Sequence, residues 1–365
     1  MFGFILICLL QTASSYSPPT PISIFKAGQD NYAAFRIPGI VNFNKSTLIA
    51  VAEGRKYGCG DYDGQHNIVS KRSTDSGKTW SDLILIADPS TLFGCESNGT
   101  SPKCQFWDPT PVTDVVTGAV HLLAAYTSAK IERQQGLNDI FQWTTYDNGM
   151  SWTSARNITH FFALAGQGTY RLTPSNGHGI QLGQSGQSGG RLLIPAYGAK
   201  GSGVIYSDDH GVTWNVTAPQ FPTSAEGDVA ELNDGTIIYA LRMDKDSPIE
   251  ECSPFAHCRG QAMSNDGGMA FTNFSWVSSL PDPACKGGLA SAGGNTLVFA
   301  NDADEKNRNH VTLRRSVDGG KSWNENSQLL YKGAAGYVDV VANDENAFVI
   351  YEEDTCSIII STVAL

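Results

Sequence analysis

Seven histidines, eight cysteines and a scatter of arginines and carboxylates are the residues of this chain able to do chemistry. Their spacing excludes several classes. The histidines show neither HExxH nor any paired spacing, and there is no GxSxG elbow. Neither a zinc-hydrolase helix nor a serine-nucleophile turn is therefore written here. No two cysteines stand as CxxC, which argues against a thiolate zinc site. Gly287-Gly-Leu-Ala-Ser-Ala-Gly-Gly294 is glycine-rich but lacks the strand–GxGxxG–helix setting that cradles phosphate. The acidic stretch Asn301-Asp-Ala-Asp-Glu-Lys306 offers calcium-type ligands, although an exposed loop is the better reading. No metal or cofactor is called for.

Cross-linking suits the cysteines better. Cys95/Cys104 and Cys252/Cys258 stand close enough to staple loops. Residues 2–10 (FGFILICLL) are apolar and are followed by Ala13, Ser14 and Ser15, the pattern of a signal peptide over residues 1–15. A buried first strand is the alternative. Removing Cys8 with that leader leaves Cys59, Cys285 and Cys356 as an odd set. Five Asn-x-Ser/Thr sequons, at Asn44, Asn98, Asn157, Asn215 and Asn273, also suit the secretory route. The expected location is secreted or lysosomal/luminal. No apolar run is long enough to span a bilayer as a helix, and the C-terminal SIIISTVAL reads as a closing strand.

Composition frames the rest. With 41% hydrophobic and 17% charged residues the chain can pack a core. A net charge of −11 argues against nucleic acid as partner. An anionic ligand would need a local cationic pocket.

The elements that would position such a pocket are announced by a repeat. A hydroxyl residue, an Asp two positions on, a Gly two further and then an aromatic recur five times. The copies are Ser73–Trp80, Thr145–Trp152, Ser207–Trp214, Ser264–Phe271 and Ser316–Trp323. Each reads as a hairpin turn, with Asp bonding its own backbone and Gly supplying positive φ. The aromatic anchors the turn. Flanking runs alternate as strands do, for example Thr236-Ile-Ile-Tyr-Ala-Leu. The aspartates, at 75, 147, 209, 266 and 318, lie far enough apart for about four short strands each. The expectation is an all-β fold, a six-bladed β-propeller of four-stranded antiparallel blades over residues 16–365. The sixth blade lacks the motif and joins the two chain ends.

These boxes, together with Phe35-Arg36-Ile37-Pro38 upstream of the first, resemble the Asp-box and FRIP motifs of sialidases. The resemblance covers essentially the whole mature chain, most of all to single-domain bacterial and animal lysosomal-type enzymes. It implies residue roles position by position. Arg36, Arg242 and Arg314 match the triad that binds the sialic acid carboxylate. Glu352 matches the glutamate that orients the first arginine, Tyr337 the nucleophile and Glu231 its activating base. Asp108 resembles an aspartate near the substrate's substituents. The acid/base aspartate falls in Gly58-Cys-Gly-Asp61-Tyr-Asp63-Gly-Gln, where Asp61 is favoured and Asp63 is the alternative. Glu53 and Arg55 read either as rim residues or as an ordinary surface pair.

The chemistry fits the residue types. Forked guanidinium donors match a carboxylate, and burying them demands acidic companions. The substrate's own carboxylate would repel an Asp or Glu nucleophile, and tyrosine is the recognised exception among glycosidases. The resemblance thus implies a retaining exo-α-sialidase acting on sialylated glycoconjugates. The alternatives are a trans-sialidase, an enzyme releasing an anhydro-sialic acid, or a non-catalytic sialoglycan-binding propeller. The last needs the arginines but neither base nor nucleophile.

Overall fold

Leu48, Ala50 and Ala52 lie in one apolar cluster, while the intervening Ile49 and Val51 lie in another. A strand with period two can serve two cores only when sheets cover both of its faces, and this arrangement recurs around the molecule. The computed structural model describes residues 19–365, apart from 45, 93–94, 96–103, 129–137, 163–170, 184–187, 245–256 and 324–326. The expected leader, Asn98 and Cys252 lie outside the described residues.

The described residues form an all-β structure of successive antiparallel meanders. The first runs Ala34–Asn42, Leu48–Arg55, His66–Ser73 and Ile84–Ala87. The second runs Cys104–Asp114, Ala119–Ser128, Asp139–Thr145 and Arg156–Asn157, joined to the first by the parallel bridge of His66 to Gln105. The third consists of Leu192–Gly198, Gly201–Ser207 and Asn215–Val216, with the short strands Thr173–Pro174 and Ile180–Gln181 laid against Leu192–Gly198. The fourth is Ser224–Glu231, Ile237–Met243, Cys258–Ser264 and Thr272–Pro281. Gly288–Ser291, Leu297–Asp302, Asn309–Ser316 and the start of Gln328–Ala342 make the fifth. The rest of that long strand, Asn346–Glu353, Ile358–Ala364 and the early strand Ile22–Phe25 make the sixth. The chain ends meet there, with Ile22 paired to Ile360.

Six apolar clusters fill the spaces between consecutive meanders. One of them, including Phe35, Ile40, Phe348 and Ile350, joins the sixth meander to the first. No helix of the described residues is long and apolar enough to cross a membrane.

All five repeat motifs are the expected turns. In the first, Ser73 Oγ accepts from Gly77 N at 2.9 Å, and Asp75 accepts from Thr79 N at 2.9 Å and Thr79 Oγ1 at 2.6 Å. Gly77, Gly149, Gly211, Gly268 and Gly320 all have φ near +80°, where a Cβ would be strained. The fourth copy has Ala270 where the others place a hydroxyl, so Asp266 receives only backbone donors and Ser264 there. Each turn follows the third strand of its meander, at the end marked by the pair Leu48–Ser73 in the first. The candidate site lies at the other end, roughly 20 Å away along the strands.

Candidate active site

Four of the leading strands carry the same irregularity, one of them between Ser224 and Gly227, where Glu226 lies opposite Arg242. Two residues intervene between Arg36 and Gly39, but only one between their partners Glu53 and Val51. The same shift occurs from Trp107 to Thr110 and from Gly336 to Asp339. At three of the bulges one residue has positive φ: Ile37 at 55°, Asp108 at 54° and Tyr337 at 47°. Bulges re-aim side chains, and here three of them turn Arg36, Asp108 and Tyr337 out of the regular ladder at one end of the molecule. The FRIP and Trp107-Asp108-Pro109 segments are the sequence trace of two of them.

Around Tyr337 the groups converge. The guanidinium carbons of Arg36 and Arg308 lie 5.2 and 5.4 Å from the ring centroid. Arg36 Nε donates to both oxygens of Glu352 at 3.1 Å, and Glu352 Oε1 also accepts from Ile37 N at 2.7 Å. Burial opposes charge on Arg36, but Glu352, Tyr337 and Asp61 outweigh it and fix the cation. Arg242 Nη1 donates to Glu226 Oε2 at 2.5 Å. Burial, and then the neighbouring Glu226 carboxylate, push the Tyr337 phenol well above its usual range, while Arg242 and Arg308 act against them. Tyr337 N donates to the buried Cys285 thiol at 3.4 Å. Burial also raises Asp302 to about 7.

Asp61 stands at the mouth of this group, with its side chain 46% exposed. Its Oδ1 accepts from Arg36 Nη1 at 2.9 Å and from Arg55 Nη1 at 3.0 Å. Asp63 turns back into its own loop, accepting from Gly60 N at 2.7 Å. Glu53 and Arg55 are neither a rim nor a surface pair. Both are fully buried and bonded at 2.7 and 3.0 Å, and burial is outweighed by Arg55 and His66, which hold Glu53 down at about 2. Glu53 also accepts from Asp108 N at 3.1 Å. Asp108 is buried and receives Tyr197 Oη at 2.8 Å and Asn176 Nδ2 at 3.3 Å.

Two expected residues are elsewhere. Glu231 ends its strand at the opposite face, accepting from Gly183 N at 2.7 Å and lining a pocket of about 340 Å³ with Asn42, Gln181 and Ser291. Glu226, five positions earlier and roughly 17 Å away along the strand, holds the place beside Arg242. Arg314 donates to Asn301 at 3.2 Å, and burial pushes its pKa down to about 10. It lies two residues from the turn that begins at Ser316, and so belongs to the far end of the strand. Arg308, immediately before that strand, faces Tyr337 instead. A signal for both was present in the sequence. The five turns mark the far end, so site residues fall where leading strands begin, second strands end and third strands begin.

Between the leading strands, His178 Nδ1 bonds Asp339 Oδ1 at 2.9 Å, and Lys286 Nζ bonds Asp228 Oδ2 at 3.0 Å, all buried. His178, Asp228 and Asp339 have the spacing of a metal site, but the Lys286 ammonium supplies a cation to that group itself. Disulfides join Cys95 to Cys104 as expected and Cys59 to Cys356. Cys258 is also disulfide-bonded, and Cys285 is the free thiol among the described residues.

The fold and this end of the molecule define a sialidase-like all-β protein, and comparison with known proteins agrees. Residues 46–350 match the family model of the BNR repeat-like domain. The chain belongs to that family, and the relatives it matches include bacterial, fungal and human sialidases. A Bacteroides fragilis sialidase is 28% identical over 85% of this chain and 57% of its own. The chain thus spans little more than half the length of the curated relatives it matches. Among solved structures, Hadza microbial sialidase Hz136 superposes with a TM-score of 0.82 at 24% identity, over 94% of this chain and 68% of that one. The intramolecular trans-sialidase from Ruminococcus gnavus gives 0.73 at 15% identity, over 94% and 97%.

Proposed function

We propose that this chain is a six-bladed β-propeller exo-α-sialidase, which hydrolyses terminal α-linked sialic acid from glycoproteins, glycolipids or oligosaccharides. One observation carries the reading. Three guanidinium groups, on Arg36, Arg242 and Arg308, gather about a tyrosine that has a carboxylate, Glu226, beside it. Support for the propeller comes from the six interfaces that close on themselves. The disulfides support an oxidising compartment, secreted or luminal.

In this reading the substrate carboxylate displaces Asp61 from Arg36 and is held by the three arginines. Glu226 takes the phenolic proton that Tyr337 would otherwise keep, and the Tyr337 oxygen bonds to the anomeric carbon. Asp61 protonates the departing glycosidic oxygen. Water then gives its proton to Asp61 and bonds the same carbon from the vacated side, while Tyr337 leaves and regains its proton from Glu226. Two inversions give retention. Asp108, in the bulge and with its N–H donating to Glu53, shapes the wall beside Asp61.

Incubation with sialyl-lactose, followed by NMR, tests the reading. Free sialic acid should appear first as the α-anomer. An anhydro product would assign intramolecular transfer, and binding without turnover would assign a lectin.

A further inference from the structure

The Asp61 carboxylate is half exposed, yet it must sit at one glycosidic oxygen. Its loop closes through Lys56 N to Gln65 O at 3.1 Å, Asp63 N to Gly60 O at 3.2 Å and Gly60 N to Asp63 Oδ2 at 2.7 Å, none of which involves Asp61 itself. Cys59, two residues before Asp61, is bonded to Cys356 in the turn that follows Glu352. Cys356 O accepts from Phe35 N at 2.8 Å, beside Arg36. Cys59 O accepts from Arg55 Nη1 at 2.6 Å, the same nitrogen that holds Asp61. One cross-link between residues 297 positions apart thus ties together the segments that carry Asp61, Arg36 and Glu352.

We propose that the Cys59–Cys356 disulfide is a positioning element that fixes Asp61 for proton transfer to the leaving group. The inference rests on the sialidase reading and on Asp61 as its acid/base. Without substrate, the Asp61 side chain is held by Arg36 and Arg55, and its backbone by Gln105, whose Nε2 donates to Asp61 O at 3.1 Å, and by the cross-link. Once a substrate carboxylate occupies Arg36, the Asp61 side chain keeps only Arg55, and its backbone keeps Gln105 and the cross-link. Breaking the disulfide therefore loosens Asp61 at the moment it acts, while Arg36, Arg242, Arg308 and Tyr337 keep their own supports. The loss falls on protonation and not on binding.

The test compares wild type, Cys59→Ser/Cys356→Ser, Asp61→Ala and Ser316→Ala on sialyl-lactose and on an aryl sialoside whose activated leaving group needs little protonation. Ser316→Ala controls for stability, since it removes a turn bond at the far end. The double variant should lose about tenfold or more in kcat on sialyl-lactose, with KM within about twofold and aryl sialoside turnover within about threefold. Asp61→Ala should show the same split more strongly, and Ser316→Ala should show none. A wild-type ratio in the double variant, beside a clear split in Asp61→Ala, overturns the inference alone. No split in Asp61→Ala defeats the acid/base reading, and the inference falls with it. Should the double variant not fold, folded wild type is treated with a water-soluble phosphine. The phosphine becomes its oxide with oxygen from water, and Cys59 and Cys356 each gain an electron and a proton. Alkylation mapping then identifies the opened bond. With Cys59 and Cys356 alkylated and tryptophan fluorescence native, the same split is expected, and an unchanged ratio refutes it.

Discussion

Each arginine at the site is anchored differently, and the anchors decide what its loss would do. Arg36 is gripped by Glu352 and Arg242 by Glu226, whereas Arg308 reaches the Ala284 carbonyl at 3.4 Å and the Tyr337 ring. A lysine in place of Arg308 keeps the charge but not the fork. Arg308→Lys should lower kcat/KM by roughly ten- to a hundredfold, about 1.4–2.7 kcal/mol, while Arg314→Lys should stay within about twofold. Steady-state kinetics on sialyl-lactose checks both. The same assay separates the two glutamates: Glu226→Gln should cost about a hundredfold or more through loss of the base, and Glu231→Gln should be nearly silent. The grouping of Arg36, Glu352, Tyr337 and Asp61 was legible through the resemblance that the FRIP motif and the boxes carry. Glu226 and Arg308 were not, because nothing in a bare Glu or Arg says which end of its strand faces the site. Only the turn positions carry that information.

At the scale of the element, the repeated turn is a small hydrogen-bonded unit with one natural defect. Where Thr79, Ser151, Thr213 and Ser322 donate a hydroxyl to the turn aspartate, Ala270 has none. Ala270→Ser should restore the bond to Asp266 and stabilise the protein modestly, by about 0.5 kcal/mol because the bond faces solvent. A raised denaturant midpoint with unchanged slope would show it. These turns made the fold readable: Asp, Gly and an aromatic at fixed offsets have a local physical cause. A closing C-terminal strand was readable too, but its partner was not, because the pairing of Ile358–Ala364 with Ile22–Phe25 spans the whole chain and leaves no local mark.

Across the whole molecule, the buried group around His178 and Lys286 joins strands that are distant in sequence. Asp339 Oδ2 also accepts from Ile40 N at 3.0 Å, and Asp228 Oδ2 from Leu289 N at 3.1 Å. Burial disfavours a charged His178, but Asp228 and Asp339 outweigh both burial and the nearby Lys286, and raise its pKa to about 9. An unfolded histidine titrates near 6.5. The stabilisation is therefore complete below about pH 6.5, declines as pH rises, and is lost above about 9. It is on the order of 3 kcal/mol. Thermal melts from pH 6 to 10 should show that decline in wild type, and His178→Gln should flatten it. An equal decline in the variant would assign it to other groups.

The central claim is that Tyr337 attacks the anomeric carbon, and a fluorinated sialosyl fluoride tests it most directly. Fluorine beside the reacting centre slows both steps, and the fluoride leaving group rescues only the first, so the covalent adduct accumulates. After proteolysis the added mass should lie on the peptide containing Gly336-Tyr337-Val338. Glu226→Gln should slow its appearance, and Tyr337→Phe should abolish it. An adduct on Glu226, Asp61 or any other residue would contradict the account, even in a protein that releases sialic acid.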